Sequence, residues 1–455
     1  MNRFHLKNIS YRGVGLALLV IGLIGIVGSG CQSSTAAYDN QNTPSPMAKE
    51  VVSFDRTPTV QASPAITVAN TSVDNTITLT FWTVESFSPK AEGEAGDFIN
   101  KSLRAFEQAN PNIKVDLLLK KPTGKGGMLD FLRTARDVAP SVLPDVAVLN
   151  ATDLNQAYAD GLLQSLDGRL SRPIVQDLLP AARRMGTVGD KLIGVPLALE
   201  MEHNVYSTQV FTTTPLLWTD VLSSHTVYLF PAKGINGLVN DVSLSQYFSA
   251  GGKFLDEQGK PTIDDRVLRN VLDFYQQALE SGVINSEVLE TGTTEELWPI
   301  YLAGDAGMAQ ISVHQYLLSR DSLDSTAFAP IPVSKEKDIP VAITHGWALV
   351  LITNDANRQS AALSLIEWFL STSNNATWNS INKSIPTRDT AYQQLAGDDP
   401  YWVFLTEQLN AAQPQPAFNG YDRLGRIIQQ AIEQVISGEA TPEEATATAM
   451  DALGQ

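Results

Sequence analysis

The stretch that most constrains this chain is Leu143–Asp167, LPDVAVLNATDLNQAYADGLLQSLD. Behind Pro144, Val146 to Leu149 form an uninterrupted apolar run, the pattern of a strand buried on both faces. Thr152 or Asp153 can cap a following helix, Leu154, Ala157 and Tyr158 give it an apolar stripe, and Gly161 can end it. Asn150 and Ala151 therefore fall at the carboxyl end of a buried strand, directly before a helix N-terminus. In open α/β sheets that is where ligands bind, although an ordinary strand–loop–helix packing unit has the same pattern. At 455 residues the chain exceeds what one core usually organises, and two domains are expected.

The N-terminal segment carries an address. Arg3, Lys7 and Arg12 precede an apolar run from Gly13 to Val27, too short to span a bilayer but suited to the h-region of a signal peptide. Gly28-Ser29-Gly30-Cys31 follows and resembles a lipobox, with Gly28 where an aliphatic residue is usual. That resemblance implies a signal peptide over residues 1–30 and a lipidated Cys31 as the mature N-terminus. Cys31 is the single cysteine, so no disulfide can form within the chain. Two acyl chains on one residue would hold the protein at a membrane surface. Residues 31–75 are rich in Ser, Thr, Asn, Gln, Ala and Pro and read as a disordered tether. The formal charge of −17 argues against a nucleic-acid partner.

From Thr76 onward the chain reads as alternating strands and helices. Ile77 to Phe81 is a strand ending at Trp82, with Glu85 in the next loop. Phe98 to Ala109 is a helix ended by Asn110-Pro111, and Ile113 to Leu119 is a second strand. Pro122 to Gly127 is Gly-rich but lacks the spacing of a phosphate loop. Asp264 or Asp265 can cap a helix whose inner face carries Val267, Leu268, Val271, Leu272 and Tyr275. Thr441-Pro442-Glu443-Glu444 has the signature of a capped helix start, with Thr as N-cap and Glu at the third helical position.

These segments, in this order, resemble the family 1 extracellular solute-binding proteins, the mostly sugar-binding receptors of bacterial ABC importers. The resemblance is carried by FEQANPNIKV at 106–115, the Pro144-Asp145-Val146 segment through Asp167, and KLIGVPLALEMEHNVYSTQVF at 191–211. It continues through Gly251-Gly252-Lys253-Phe254, WPIYLAGDAGMA at 298–309, and Thr344-His345-Gly346-Trp347. The closing matches are Ser384-Ile385-Pro386-Thr387-Arg388 and the Thr441–Glu444 ending. His345 stands where the family usually has glycine, and Asn204-Val205-Tyr206 where Tyr-Tyr-Asn is commoner.

The resemblance implies an α/β, two-lobe periplasmic-binding-protein-like fold. Each lobe is a central sheet flanked by helices, and the chain crosses about three times, near 194–200, 341–346 and 384–388. Lobe I is expected at 76–196 plus 344–383 and lobe II at 197–343 plus 384–455. Ligand would bind between the lobes. The expected ligand-binding residues are Trp82, Glu85, Asn150, Glu200, His203, Trp298, His345, Trp347, Arg388 and Tyr421. The aromatics would stack on sugar rings, and the polar groups would hydrogen-bond hydroxyls or, for Arg388, a carboxylate. For Trp82, Trp298 and other aromatics a plain core position stays open.

Little in the sequence supports catalysis. The histidines at 203, 225, 314 and 345 have no metal-ligand spacing, and no Gly-x-Ser-x-Gly elbow occurs. No metal and no cofactor are expected. The expected function is a lipid-anchored, extracytoplasmic, monomeric receptor on the cell membrane that delivers a small solute, a sugar or oligosaccharide, to an ABC permease. A glycan-acting enzyme and a bilobal surface lipoprotein that senses or pairs with proteins without import are the alternatives. Paired carboxylates of a glycosidase need not be near in sequence.

Overall fold

The computed structural model describes residues 76–454. The expected signal peptide at 1–30, the lipidation of Cys31 and the tether at 31–75 lie outside the described residues. No helix among the described residues is long and apolar enough to cross a membrane.

Two main sheets organise the fold. The first has the spatial order Ile113–Leu119, Ile77–Thr83, Val146–Asn150, Trp347–Leu351, Gly194–Pro196. Its first three strands are parallel, and Trp347–Leu351 runs antiparallel to both of its neighbours. Val146 to Leu149 are completely buried in the middle of the sheet, which is why that run lacks polar alternation. Helices Glu94–Ala109, Met128–Val138 and Ala356–Phe369 contribute Ile99, Phe106, Leu132, Leu365 and Phe369 to the same core. Asp145, almost fully buried, accepts from the Thr80 N–H (2.8 Å) and from Arg358 Nε (2.7 Å), tying two strands to the helix that begins at Ala356.

The second sheet is ordered Gln413–Pro414, Ile343–His345, Glu200–Ser207, Met308–Ser312, Tyr228–Leu229. Thr326–Ala329 pairs with the far end of Glu200–Ser207. Helices Asp265–Glu280, Tyr421–Ile436 and Pro442–Gly454 pack with one another around a second core. The first starts as the sequence suggests: Asp264 Oδ1 accepts from the Val267 N–H at 3.0 Å. The last has a reciprocal cap, in which the Glu444 carboxylate accepts from Thr441 N (2.9 Å) and Oγ1 (2.8 Å), and the Glu444 N–H donates back to Thr441 Oγ1 (3.3 Å).

The chain passes from the first sheet to the second between Pro196 and Glu200 and returns at Gly346. These crossings are bonded to a third segment. Leu199 and Ile385 exchange main-chain hydrogen bonds at 2.8 and 3.0 Å. The Leu197 carbonyl accepts from the side-chain amides of Asn375 (2.8 Å) and Asn379 (3.0 Å), while Asn375 Oδ1 accepts from the Thr387 N–H (3.0 Å). One fully buried asparagine thus holds two crossings in register.

Gly346 leaves no room for a side chain. A Cβ there would lie 2.7 Å from the Ala198 carbonyl oxygen and 2.8 Å from Met185 Sδ. Because the first of these is backbone at another crossing, relief requires the crossings to separate. Gly346→Ala is expected to cost about 1–3 kcal/mol, read as a lower urea midpoint at unchanged slope. An unchanged midpoint would show that the crossings yield freely.

Candidate functional site

The strand Glu200–Ser207 decides which side chains meet. Successive residues alternate faces, so Met201, His203 and Val205 share one face and Glu200, Glu202 and Asn204 the other. The first face is sealed. His203 is 1% exposed, and its Nδ1 lies 3.0 Å from the Asn204 carbonyl and its Nε2 2.8 Å from Tyr401 Oη. The carbonyl can only accept, so the proton sits on Nδ1 and Nε2 accepts from the tyrosine. Tyr316, Tyr401 and Phe404 surround the ring, and burial pushes its pKa down to about 4. His203, expected at the ligand, is instead a neutral core histidine with both nitrogens in use.

The second face carries a polar cluster. His345 is opposite Glu200 in the antiparallel pairing, so the two share this face. His345 Nε2 lies 2.8 Å from Asp241 Oδ2, at the start of helix Asp241–Ser249. Gln310 on the neighbouring strand donates its amide to Glu202 Oε2 at 3.0 Å. Glu200 and Glu202 keep partial solvent exposure although protein surrounds them on nearly every side. Burial raises both carboxyls to about 8. For Glu200 the His314 main-chain N–H and His345 oppose the rise; for Glu202, Asp241 adds to it and His345 opposes it. Burial disfavours protonation of His345, but the Asp241 carboxylate, with Glu202 and Glu200 behind it, outweighs that and raises its pKa.

Two adjoining cavities open beside this cluster. The smaller, about 130 Å³, is lined by Asn150, Arg184, His345 and Gly346 among others. The larger is a cleft of about 960 Å³. One wall, with Leu129, Thr152, Asp153 and Gln156, belongs to elements flanking the first sheet; the other, with Leu238 and Asp241, belongs to the second. Thr152, Asn155 and the segment Gln415–Ala417 line both cavities. This segment leaves the edge strand Gln413–Pro414 and leads to Tyr421, which borders the cleft but is only 5% exposed, its ring packed against Phe254 and Phe418. Asn155 Nδ2 donates to the Ala417 carbonyl, a direct bond across the cleft. Burial raises Asp153 within it.

The expected residues distribute unevenly. Asn150 and His345 line the smaller cavity and Tyr421 borders the larger. Glu200 lines neither and is placed beside them only by its pairing with His345, and half-buried Trp347 is opposite Asn150 in the sheet. Asn150 Oδ1 is already committed, accepting from Thr152 N (3.0 Å) and Oγ1 (2.7 Å), so Asn150, not Thr152 or Asp153, caps the turn. Trp82 and Glu85 line neither cavity: Trp82 is 3% exposed beneath Lys120, whose Nζ is 4.1 Å from the ring centroid, and Glu85 is exposed. Trp298 is stacked on Tyr301 in a core cluster, its centroid 5.3 Å away. Arg388, also expected at the ligand, is 7% exposed, paired with Asp177 at 2.7 Å, and lines neither cavity. Glu202, Asp241, Gln310 and Asn155 were not expected. Strand alternation singles out Glu202 with Glu200; the other three come from segments far apart in sequence.

Two α/β lobes, each built on its own sheet, joined by multiple crossings and enclosing a polar cleft, define a solute-receptor architecture. The chain belongs to the bacterial extracellular solute-binding protein family, whose pattern matches residues 101–402. Solved structures share the fold at low identity. The cyclic α-maltosyl-1,6-maltose binding protein from Arthrobacter globiformis superposes with a TM-score of 0.68 at 18% identity, covering 83% of this chain and 98% of that one. The sugar-binding protein MalE from Xanthomonas citri gives 0.67 at 19% identity, covering 83% and 96%. Maltose-bound T. maritima MalE3 gives 0.63 at 21% identity, covering 82% and 98%. The family description implies a location outside the cytoplasm.

Proposed function

We propose that this chain is a lipid-anchored receptor that binds a small polyhydroxylated solute, a sugar or oligosaccharide, between two lobes and delivers it to an ABC permease. We assign 76–196 with 346–383 to lobe I and 197–345 with 384–454 to lobe II, because the strand Ile343–His345 pairs within the second sheet and not, as expected from position 344 on, within the first. The observation that carries the reading is the cleft of about 960 Å³ with walls from both sheets' elements, beside the crossings. That size suits a ligand of more than one ring, since small-molecule sites span roughly 300–1,000 Å³. Asn155, Asp153, Gln156 and Asp241 supply hydrogen-bonding groups. Closure about the braced crossings would bury the solute, and transport energy would come from the partner's ATPase. The structural neighbours named above include proteins that bind maltose and a cyclic maltosyl-maltose, which supports this solute class.

A thermal-shift screen of the full-length chain in detergent tests the reading against sugars, polyols, amino acids and metal ions. A true ligand at about 100 times its Kd stabilises by about 2.7 kcal/mol. Stabilisation by a sugar that is recovered unchanged is the expected result. A response to metals alone, or turnover of the hit, would overturn it.

A further inference from the structure

The polar cluster on the second sheet has more hydrogen-bond acceptors than the protein supplies donors for. Glu200 Oε2, Asp241 Oδ1 and Gln310 Oε1 are buried and have no hydrogen-bond partner among the described residues. Gln310 is 1% exposed, so its free oxygen has no alternative in bulk solvent. Of the donors nearby, His345 Nε2 is spent on Asp241 Oδ2 and Gln310 Nε2 on Glu202, which leaves one unpaired hydroxyl against three orphan acceptors. The Tyr421 hydroxyl, also buried and unpaired, lies close enough to Asp241 to feel its charge.

The charges are unbalanced in the same direction. Three carboxyl groups from two elements face one imidazole, and Glu295, in the first turn of helix Thr294–Leu302, adds a fourth carboxyl neighbour. The other titratable groups that interact electrostatically with the cluster are phenols: Tyr228 with Glu202, Tyr421 with Asp241, and Tyr401, on the opposite face of the strand, with Glu200. The arginines on the cavity walls are engaged elsewhere. Arg184 donates to the carbonyls of Leu409 and Ala412, and Arg423 to those of Ala452 and Leu453.

Building on the receptor reading, we propose that the cluster of Glu200, Glu202, Asp241, Gln310 and His345 is a cation subsite of the cleft, and that the solute is an aminated sugar whose ammonium it holds. An ammonium brings three N–H donors and no acceptor, whereas a hydroxyl brings one donor and two lone pairs. The first suits three orphan acceptors beside an excess of carboxyl groups. In the absence of a cation, Glu200 and Glu202 hold their protons near neutral pH. Arrival of an ammonium favours the carboxylate, so binding expels a proton to solvent: carboxylic acid plus ammonium gives a carboxylate–ammonium pair plus a free proton. Affinity therefore rises with pH until the carboxyl ionises unaided.

The test is calorimetric titration of the full-length chain in detergent with D-glucosamine and the fully deacetylated β-1,4 disaccharide, against their N-acetylated counterparts. Each pair differs by a charged amine against a neutral amide. The aminated compounds are expected to bind at least about tenfold more tightly, with affinity rising about tenfold per pH unit between about pH 5.5 and 7, where a primary amine stays charged. Enthalpies in buffers of different ionisation heat should report release of about one proton. Glu202→Gln, with its fold checked by urea titration, should lose both the preference and the proton release. Equal or tighter binding of the acetylated sugars without proton release overturns the inference and leaves the receptor reading standing. Failure of either aminated compound to bind at millimolar concentration overturns it too. Failure of the receptor reading would look different, as the absence of binding by every sugar, charged or neutral.

Discussion

Arg388→Met is expected to lower the unfolding free energy by about 3–5 kcal/mol, the usual cost of removing one partner from a buried ion pair. Arg388 Nη2 lies 2.7 Å from Asp177 Oδ2, with the two side chains 9% and 15% exposed. Its Nη1 donates to the Leu370 carbonyl at 2.7 Å. Methionine fills the volume but leaves Asp177 with only the N–H and hydroxyl of Thr390 as partners, at 3.1 and 2.6 Å. The backbone around the pair is bonded too, since Leu179 N reaches the Thr387 carbonyl (2.9 Å) and Asp389 N the Asp177 carbonyl (2.7 Å). The damage should therefore spread to the third crossing. Urea unfolding measures the loss, and adding Asp177→Asn should recover part of it, because the stranded charge is then gone. A variant that keeps its stability but loses affinity for a carboxylated solute would restore Arg388 to the ligand site.

The second large effect is a dependence of stability on pH. Glu200 and Glu202 have folded-state pKa values of about 8, above the ordinary glutamate value of 4.5. The folded chain thus binds more protons than the unfolded chain between these limits. Stability is fully present below about 4.5 and falls as pH rises toward about 8. One carboxyl contributes at most about 1.4 kcal/mol per pH unit, and two that interact contribute less than twice that. His203 acts in the opposite sense. Its pKa falls from 6.5 to about 4 on folding, so stability is lost as pH drops through that interval. Between 4.5 and 6.5 the two effects oppose. Above 6.5 the glutamates act unopposed by His203, and the ligand-free protein should weaken steadily up to about 8. Urea titrations across that interval should show the fall, and the Glu200→Gln, Glu202→Gln double variant should flatten it. Identical slopes for both proteins would contradict the assignment.

Most of the framework was legible because its signals are local. The apolar run Val146–Leu149, the Asp264 cap and the Thr441–Glu444 box each depend on residues a few positions apart, and each occurs as its chemistry implies. The site was less legible, for two reasons. The first is a matter of parity. Glu200, Glu202 and His203 stand out together in an apolar stretch, but a strand sends His203 to the face opposite the two glutamates, and the extended backbone of Glu200–Ser207 made that separation available in advance. The second is distance along the chain. Asp241, Gln310 and Asn155 look ordinary in sequence and become neighbours of the cleft only through sheet order. Arg388 misled because an arginine at a crossing and an arginine at a ligand have the same sequence appearance. Only the position of Asp177, 211 residues away, separates them. The segment Gln415–Tyr421 carried no periodicity, being an irregular connection whose importance lies in what it faces.

Amide hydrogen exchange on the full-length chain, with and without the best sugar from the thermal screen, tests most directly whether solute binds between the lobes. The account predicts slowed exchange in three separated stretches at once: 150–156 on one wall, 235–241 on the other, and 415–423 across the opening. Protection confined to one wall, or lying away from all three stretches, would contradict it.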